Sequence, residues 1–450
     1  MNGNGRAASP GSCIGEPSPA RTSRLMVAVC LIAGAVAWAR LGGEYAERMR
    51  PSPEDSPDFY QDWASARNHL NELPIYSPHD MTMPLYLGRP QADWERDIMY
   101  NAHPPTSVLL ALPFTRFSLP DAVLAWNLVM LAAIVGALAI TASQLPELRA
   151  LFLPVAVLLP FCLPIYGNFQ QGQLTFLLVF LITAAWALDR SGRSGLAGVL
   201  IGAAAAVKLF PAYLVVAFAT RGRWRGVVAA ALAFGVLTLV TAAVLGVGAY
   251  LDYWRIVLPS MEKFRSYAFN LSFFGFWHKL FDPASERGWV RPLWFSPGLA
   301  LHGTMLSDLA ITAFVALAVR RSQTREDRDT AFAMAITAML LVSPVTWDYS
   351  LPLLLVSLAI AARGAMASRW LPALLIPVMI TFGLPQMKVM EVLLAGEAPR
   401  IASPAFMLGV PSFSFYAILV LFGILASCWA RAVGSHDPAT PALARDDPRP

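Results

Sequence analysis

The sequence predicts an all-α, polytopic membrane protein. Of its 450 residues 56% are hydrophobic and only 14% are charged, and the mean hydropathy is +0.52. A water-soluble chain of this length needs more charge to cover its surface. The apolar residues also cluster in runs that approach the roughly 20 residues that a helix needs to cross a bilayer. We therefore expect lipid-crossing helices joined by polar loops.

The crossings are predicted from these runs. The first follows Arg21 and Arg24 and lacks a convincing small-residue cleavage signature, so we interpret it as a retained helix and not as a signal peptide. The predicted crossings are residues 25–42, 121–143, 151–166, 173–188, 227–248, 298–319, 331–343, 350–362, 370–384 and 413–430.

The run 195–219 has basic residues before and after it, so a single crossing would leave a basic loop outside. Two short helices broken at Lys208-Leu209-Phe210-Pro211 resolve the conflict, because proline lacks an amide proton and disfavours helix at the preceding residue. Irregular backbone at membrane depth is tolerated where protein or water surrounds it. The sequence thus predicts about 10–12 transmembrane or re-entrant helices.

The distribution of Lys and Arg predicts on which side of the membrane each loop lies, because cytoplasmic loops are enriched in these residues. Both termini are then cytoplasmic. The basic clusters are Arg21 with Arg24, 189–193, 221–225, 320–328, 363–369 and Arg431. The predicted outer segments are the long loops 43–105 and 249–297, the turns 167–172, 208–211 and 344–349, and 385–412. Since the basic residues serve topology, the net charge of +5 does not indicate a nucleic-acid partner.

The chain divides into one membrane domain and two tails. Residues 21–432 form the domain, whereas 1–20 and 433–450 are rich in Pro, Ser, Gly and charge and are predicted to be disordered. The apolar run 104–119 is too short to span, and we expect a helix at the outer interface. Four dispersed cysteines lack metal-ligand spacing, and no nucleotide-binding glycine loop is present, so no metal or other cofactor is expected.

Two carboxylates follow the first helix, Asp58 and Asp62, spaced to share a helix face. A carboxylate near an apolar surface is partly desolvated, which raises its proton affinity and suits it to act as a general base. The alternative is an N-terminal helix cap at Asp58 and a solvated Asp62.

Two further polar groups belong to predicted outer segments. His103 precedes the Pro104-Pro105 pair and has two readings: it binds a phosphate or a sugar hydroxyl, or it only bonds a neighbouring backbone group. Gln173 ends a stretch with several amide side chains that match sugar hydroxyls, although turn chemistry explains its glycines.

Lys208 lies in the middle of an apolar run. An ammonium there is costly and requires a partner. Snorkelling is the alternative, but the central position favours an anionic partner such as a lipid phosphate.

The remaining candidates come from two later outer segments. Asn270, in a formal glycosylation sequon among apolar residues, is either structural or substrate-facing. Asp348 pairs with Lys208, binds a sugar or caps the following helix, while Trp347 contacts substrate or anchors the chain at the interface.

Taken in order, these motifs resemble glycosyltransferase family 87, the polyprenol-phosphate-mannose-dependent mannosyltransferases of the GT-C superfamily. The resembling segments are Asp58-Phe59 with Trp63, His103-Pro104-Pro105, Gly172-Gln173-Leu174, Lys208 to Pro211, Asn270-Leu271-Ser272 and Ser343 to Asp348.

The resemblance implies a GT-C-type fold and an inverting, metal-independent transfer of a sugar from a polyprenyl-phosphate donor. The transfer takes place on the extracytoplasmic face of a bacterial plasma membrane, to a lipid or envelope glycan acceptor. Asp58 takes the role of the base and Lys208 that of the donor-phosphate ligand. Asp62, His103, Gln173, Asn270, Trp347 and Asp348 are further substrate-binding candidates.

Two departures from the family pattern bear on which sugar and acceptor are used. Family members often carry Asn where Thr175 stands, and a His pair where Tyr349 and Ser350 stand. The competing hypothesis is a transporter or flippase of a lipid-linked sugar, in which the broken helix and Lys208 carry the substrate without reacting with it.

Overall fold

The computed structural model describes residues 19–92, 99–267, 269–283, 291–384 and 407–434, and within those ranges its regular secondary structure is entirely helical. The predicted tails 1–20 and 433–450 lie outside the described residues, apart from residues 19–20 and 433–434, which are helical. Most of the predicted outer segment 385–412 also lies outside them.

The helices in chain order are α1 Pro19–Met49, α2 Phe59–Leu70, α3 His79–Leu87, α4 Pro105–Ala111, α5 Leu119–Gln144, α6 Arg149–Leu158, α7 Leu163–Gln171, α8 Thr175–Arg190, α9 Ser194–Val207, α10 Val215–Thr220, α11 Trp224–Leu245, α12 Val247–Asp252, α13 Leu258–Ser260, α14 Phe273–Phe281, α15 Pro297–Arg321, α16 Arg325–Val342, α17 Leu355–Met366, α18 Leu371–Gly383 and α19 Phe413–Gly434. Short 3-10 segments precede α10 and α17, over Phe210–Leu214 and Asp348–Leu354.

Among the described residues, 5 helical segments are long and apolar enough to cross a membrane, or up to 6 if a bent pair counts as one span. They are Leu119–Gln144, Trp224–Leu245, Pro297–Arg321, Asp348–Met366 and Phe413–Gly434, and the bent pair joins Pro146–Leu158 to Leu163–Gln171. Shorter apolar helices cover Ser194–Val207, Phe210–Thr220 and Leu371–Gly383. The all-α, polytopic membrane architecture is therefore confirmed, while the total of about 10–12 passes remains a prediction.

The predicted break at Lys208 is confirmed. Helix α9 ends at Val207, and Lys208 has extended backbone, with φ −140° and ψ 136°. Gly198 lies against Gly226, and Gly202 lies against Ala230 four residues later, so α9 and α11 run in the same direction. The chain must therefore reverse between them, and the segment through α10 is the returning arm of the predicted hairpin.

Basic loops meet at the end of the bundle where α9 begins. Asp189, at the end of α8, pairs with Arg221 at 3.0 Å and with Arg223. Asp329 of α16 pairs with Arg190 at 3.1 Å and with Arg363 at 3.6 Å. Arg221 also donates to the carbonyl of Arg328 at 3.2 Å. Residues of four predicted basic loops, 189–193, 221–225, 320–328 and 363–369, thus meet at one end, as expected if these loops lie on one side of the membrane.

At the other end, α2 packs against α4 and against the first turns of α5. The Phe59 ring stacks on Trp126 of α5, with the ring centroids 4.9 Å apart. The Trp126 Nε1–H donates to the carbonyl of Gly172 at 2.8 Å. The predicted outer turn over 167–172 is wrong in extent, because α7 continues to Gln171 and the link to α8 covers residues 172–174, beginning at Gly172, whose φ is +62°. The predicted helix within 104–119 is confirmed as α4.

Candidate active site

Asp58 occupies the N-terminal position of α2, but its side chain makes no capping hydrogen bond. The helix-cap interpretation of Asp58 is therefore wrong. Its carboxylate accepts hydrogen bonds from Gln61 Nε2 at 3.3 Å and from Gln173 Nε2. Its backbone N–H donates to Gln171 Oε1 at 3.2 Å. The side chain is thus held towards the start of α8 and not over its own helix.

Lys208 also bonds the side-chain amide of Gln173. Its Nζ donates to Gln173 Oε1 at 3.3 Å. Because the Gln173 amide donates through nitrogen and accepts through oxygen, it connects the ammonium of Lys208 to the carboxylate of Asp58. Within the described residues Lys208 forms no ion pair with Asp348, which was one of the predicted alternatives.

Burial raises the pKa of Asp58 above its ordinary value, whereas His103, Lys208 and the hydrogen bond from Gln173 each act to lower it. Burial outweighs the neighbouring charges, so the Asp58 carboxyl binds a proton more readily than usual, although the ammonium of Lys208 is near it. That is the environment in which a carboxylate can accept a proton from a neutral hydroxyl.

Asp62 lies one turn further along α2 and is 2% exposed, so the prediction of a solvated Asp62 is wrong. Oδ1 accepts from Asn101 Nδ2 at 3.0 Å and from Ser107 Oγ at 2.7 Å. Oδ2 lies 2.8 Å from Nδ1 of His103. Although burial acts to raise the pKa of Asp62, His103, Ser107 and Asn101 lower it overall. Asp62 is therefore an ionised, fully bonded carboxylate that contacts His103.

A cleft of about 730 Å³ opens beside Asp58. Arg48, Arg50, His79 and Gln171 contribute to its walls. Arg48 lies in the last turn of α1, and Arg50 follows that helix and is paired with Asp121 at 2.8 Å. Asp58 is itself part of the wall, so the cleft reaches this residue.

Asn270, Trp347 and Asp348 lie around the turn that leads into the second 3-10 segment. The Asn270 side chain is 0% exposed; its Nδ2 donates to the carbonyl of Pro344 at 2.9 Å, and its Oδ1 accepts from the backbone of Thr346 at 3.1 Å. These bonds favour the structural interpretation of Asn270, as a brace for the turn before the 3-10 segment. Asp348 Oδ1 accepts from the backbone N–H of Tyr349, the next residue, at 2.8 Å, and the 3-10 segment that starts at Asp348 has no side-chain cap, so the helix-cap interpretation of Asp348 is not supported.

Trp347 lies in an aromatic group with Phe264 and Tyr267, at centroid distances of 5.8 and 5.1 Å. It is half-buried, so part of the ring remains available at the surface. The structure therefore brings together Asp58, Gln173 and Lys208, with Asp62 and His103 adjoining them, whereas no hydrogen bond among the described residues joins Asn270, Trp347 or Asp348 to this set.

Three residues with no predicted role bond the two carboxylates: Gln61, Asn101 and Ser107. Gln61 donates to Asp58 and its Oε1 accepts from the backbone of Ala102 at 3.0 Å, while Asn101 and Ser107 hold Asp62. These residues could have been found in the sequence as polar residues among small and apolar ones, because a buried polar group needs a hydrogen-bond partner. Within the described ranges, no group of three or more His, Cys, Asp or Glu side chains is arranged to hold a metal ion.

Comparison with known proteins identifies the family. The model of glycosyltransferase family 87 matches residues 101–344, which include His103, Gln173, Lys208 and Asn270. A polyprenol-phosphate-mannose-dependent alpha-(1-2)-phosphatidylinositol mannoside mannosyltransferase of Mycobacterium tuberculosis is 26% identical over 378 residues, covering 76% of this chain and 80% of that relative. The family match spans more than half of the 450 residues, and the chain belongs to glycosyltransferase family 87.

Proposed function

We propose that the protein transfers a sugar, mannose or another hexose or pentose, from a polyprenyl-phosphate donor to a lipid or envelope glycan acceptor, with inversion at the anomeric carbon. The observation that supports the proposal is the connection from Asp58 through Gln173 to Lys208, in which one amide bonds both a carboxylate and an ammonium. The name of the M. tuberculosis relative supports a polyprenyl-phosphate-mannose donor.

In the proposed reaction, Asp58 accepts the proton of an acceptor hydroxyl that enters through the cleft. The hydroxyl oxygen forms a bond to the anomeric carbon as the bond from that carbon to the phosphate oxygen breaks. The electron pair stays on the departing phosphate, which Lys208 stabilises. Because a phosphate leaves as an anion, no general acid is needed, and the charge of Lys208 acts where negative charge develops.

We further propose that this site faces the outside of a bacterial plasma membrane. Lys208 follows the last residue of α9, and the basic loops lie at its first. A helix of 14 residues separates them by roughly 20 Å at 1.5 Å per residue. If the basic end is cytoplasmic, as the positive-inside rule requires, the termini are cytoplasmic and the Asp58 site is extracytoplasmic.

Transfer assays with purified protein test the proposal. Wild-type enzyme should move radiolabelled mannose from polyprenyl-phosphate-mannose to a membrane-lipid acceptor, and Asp58→Asn should lower turnover about 10²–10⁴-fold, the usual contribution of a general base. Asp80→Asn is the matched control, because Asp80 is exposed at the start of α3. Full turnover by Asp58→Asn would exclude Asp58 as the base.

A second candidate function, transport of a lipid-linked sugar, is supported by the broken helix at Lys208. Membership of a glycosyltransferase family favours transfer. Reconstituted vesicles distinguish the two functions, since a transporter moves the labelled lipid across the bilayer without forming a new glycoside. Mass spectrometry of envelope glycolipids from a deletion strain would then identify the sugar and the acceptor.

A further inference from the structure

The ring of His103 has one committed nitrogen and one uncommitted nitrogen. Nδ1 lies 2.8 Å from Asp62 Oδ2. Among the residues that the structure describes, no group forms a hydrogen bond with the other nitrogen, Nε2, and the side chain is 12% exposed. The backbone is fixed on both sides, because the His103 N–H donates to Asn101 Oδ1 at 2.9 Å and its carbonyl accepts from the Tyr76 hydroxyl at 2.9 Å.

Asp62 requires a cation. A carboxylate that is 2% exposed is costly unless it is paired, and hydrogen bonds from the neutral Asn101 and Ser107 side chains leave its charge uncompensated. His103 is the group in contact that can carry a positive charge. The contact therefore favours an imidazolium, in which Nδ1–H donates to Asp62 and Nε2–H remains free to donate.

His103 and Lys208 adjoin the same pair of carboxylates. Asp58 and Asp62 lie four residues apart, about one helical turn; His103 contacts Asp62, and Lys208 is joined to Asp58 through Gln173. Before the donor binds, the carboxylates of Asp58 and Asp62 outnumber the ammonium of Lys208. A phosphodiester adds a further negative charge, and transfer concentrates charge on the phosphate when its bond to the sugar breaks. Lys208 alone does not balance this site.

We propose that His103, held as an imidazolium by Asp62, is a second cationic contact for the donor phosphate and stabilises the charge that this phosphate gains as it leaves. Asp62 is then a positioning residue, which fixes the ring orientation and the proton on Nδ1 and does not itself contact substrate. The inference rests on the proposed function, since it assumes a polyprenyl-phosphate donor.

Two measurements test the assignment. The first is binding of undecaprenyl phosphate, the sugar-free product, to purified protein. His103→Gln should weaken that binding by about 10-fold or more, because a charge-assisted hydrogen bond to phosphate is lost. The matched control is His302→Gln, since His302 is exposed on α15 and, within the described ranges, its ring bonds the carbonyl of Gly298 at 2.6 Å and no other group. Unchanged binding by His103→Gln would overturn the phosphate contact.

The second measurement is the binding of undecaprenyl phosphate to Asp62→Asn, alone and combined with His103→Gln. Asp62→Asn should weaken binding in the wild-type background and have little further effect in the His103→Gln background, because Asp62 acts through the ring that it contacts at 2.8 Å. Equal effects of Asp62→Asn in the two backgrounds would show that the pair is only structural.

Lys208→Gln separates the other cation of the site, because it should weaken phosphate binding while the loss caused by His103→Gln persists.

Failure of this inference is distinguishable from failure of the proposed function. If wild type transfers sugar and Asp58→Asn does not, but His103→Gln binds undecaprenyl phosphate as wild type does, only the role of His103 is overturned. If wild type transfers no sugar from a polyprenyl-phosphate donor, the reaction is overturned, and the binding comparison still decides the phosphate contact. Thermal melting of each variant verifies folding, and Asp62→Asn provides the test if His103→Gln fails to fold.

Discussion

Gln173 donates a hydrogen bond to Asp58 across 115 positions of sequence, and the same amide accepts from Lys208. The amide lies between the two charged groups and forms a hydrogen bond with each. Removing it would leave the carboxylate and the ammonium without their common partner, and this relationship leads to the first prediction.

Gln173→Leu should shift the acidic limb of the rate profile. The Gln173 hydrogen bond lowers the pKa of Asp58, and its loss therefore raises that pKa further above the ordinary value. Since the base must be ionised, activity should begin to fall at a higher pH than in wild type as the solution is acidified. The measurement is kcat/KM against pH. Gln323→Leu, in the distant loop before α16, should keep the wild-type limb, and an unshifted limb in Gln173→Leu would contradict the coupling.

Gly172→Ala should impair both stability and transfer. Gly172 has φ +62°, and a Cβ there would lie 2.7 Å from Cβ of Phe59, the residue after Asp58. Strained backbone of this kind costs about 1–3 kcal/mol, and the contact would also displace the start of α2. Melting temperature and kcat should both fall.

Gly167→Ala is the control for Gly172, because a Cβ at Gly167 meets nothing within 4 Å. It should melt and turn over like wild type. Equal effects of the two substitutions would indicate that the close approach of Phe59 is unimportant.

Part of this site follows from sequence alone. Pro211 and a charged residue within an apolar run predict the break at Lys208, because both effects are local. The partners of Asp58 and Asp62 do not follow from sequence in the same way. Gln173 and Asn101 are distant in the chain, and they reach the carboxylates only after α2 packs against other elements.

The turn predicted over 167–172 illustrates the same limit. Glycine and asparagine are common in turns, so Gly167 and Asn168 suggest one. In the fold, Asn168 is 1% exposed, and its Nδ2 donates to the carbonyls of Pro164 and Tyr349 at 2.6 and 2.8 Å. These bonds extend α7 through the segment, so tertiary contacts overcome the local preference.

Gly202→Ala should displace Lys208 by separating α9 from α11. A Cβ at Gly202 would lie 2.2 Å from the carbonyl oxygen of Ala230, which is backbone and cannot rotate away. Overpacking costs about 1–3 kcal/mol, and a tilt of α9 would move the residue that follows its end. We expect a lower melting temperature together with a higher KM for the polyprenyl-phosphate donor.

Gly195→Ala is the matched control on the same helix, because a Cβ there meets nothing within 4 Å. It should leave both measurements unchanged. A destabilised Gly202→Ala with an unaltered donor KM would show that the position of Lys208 does not depend on this helix contact.

Asp189→Asn should destabilise the protein while leaving the chemistry intact. The Asp189 side chain is 7% exposed and lies between Arg221, 8% exposed, and Arg223. Removing one partner of a buried ion pair typically costs about 3–5 kcal/mol, because the remaining charge stays buried without compensation. The melting temperature should therefore fall clearly, and added salt should change the difference little, since buried pairs are weakly screened.

The site at Asp58 lies at the other end of α8 and α9, so kcat at a temperature where both proteins are folded should match wild type. A loss of kcat under those conditions, with an unchanged melting temperature, would mean that the ion pair acts on the reaction and not on the scaffold.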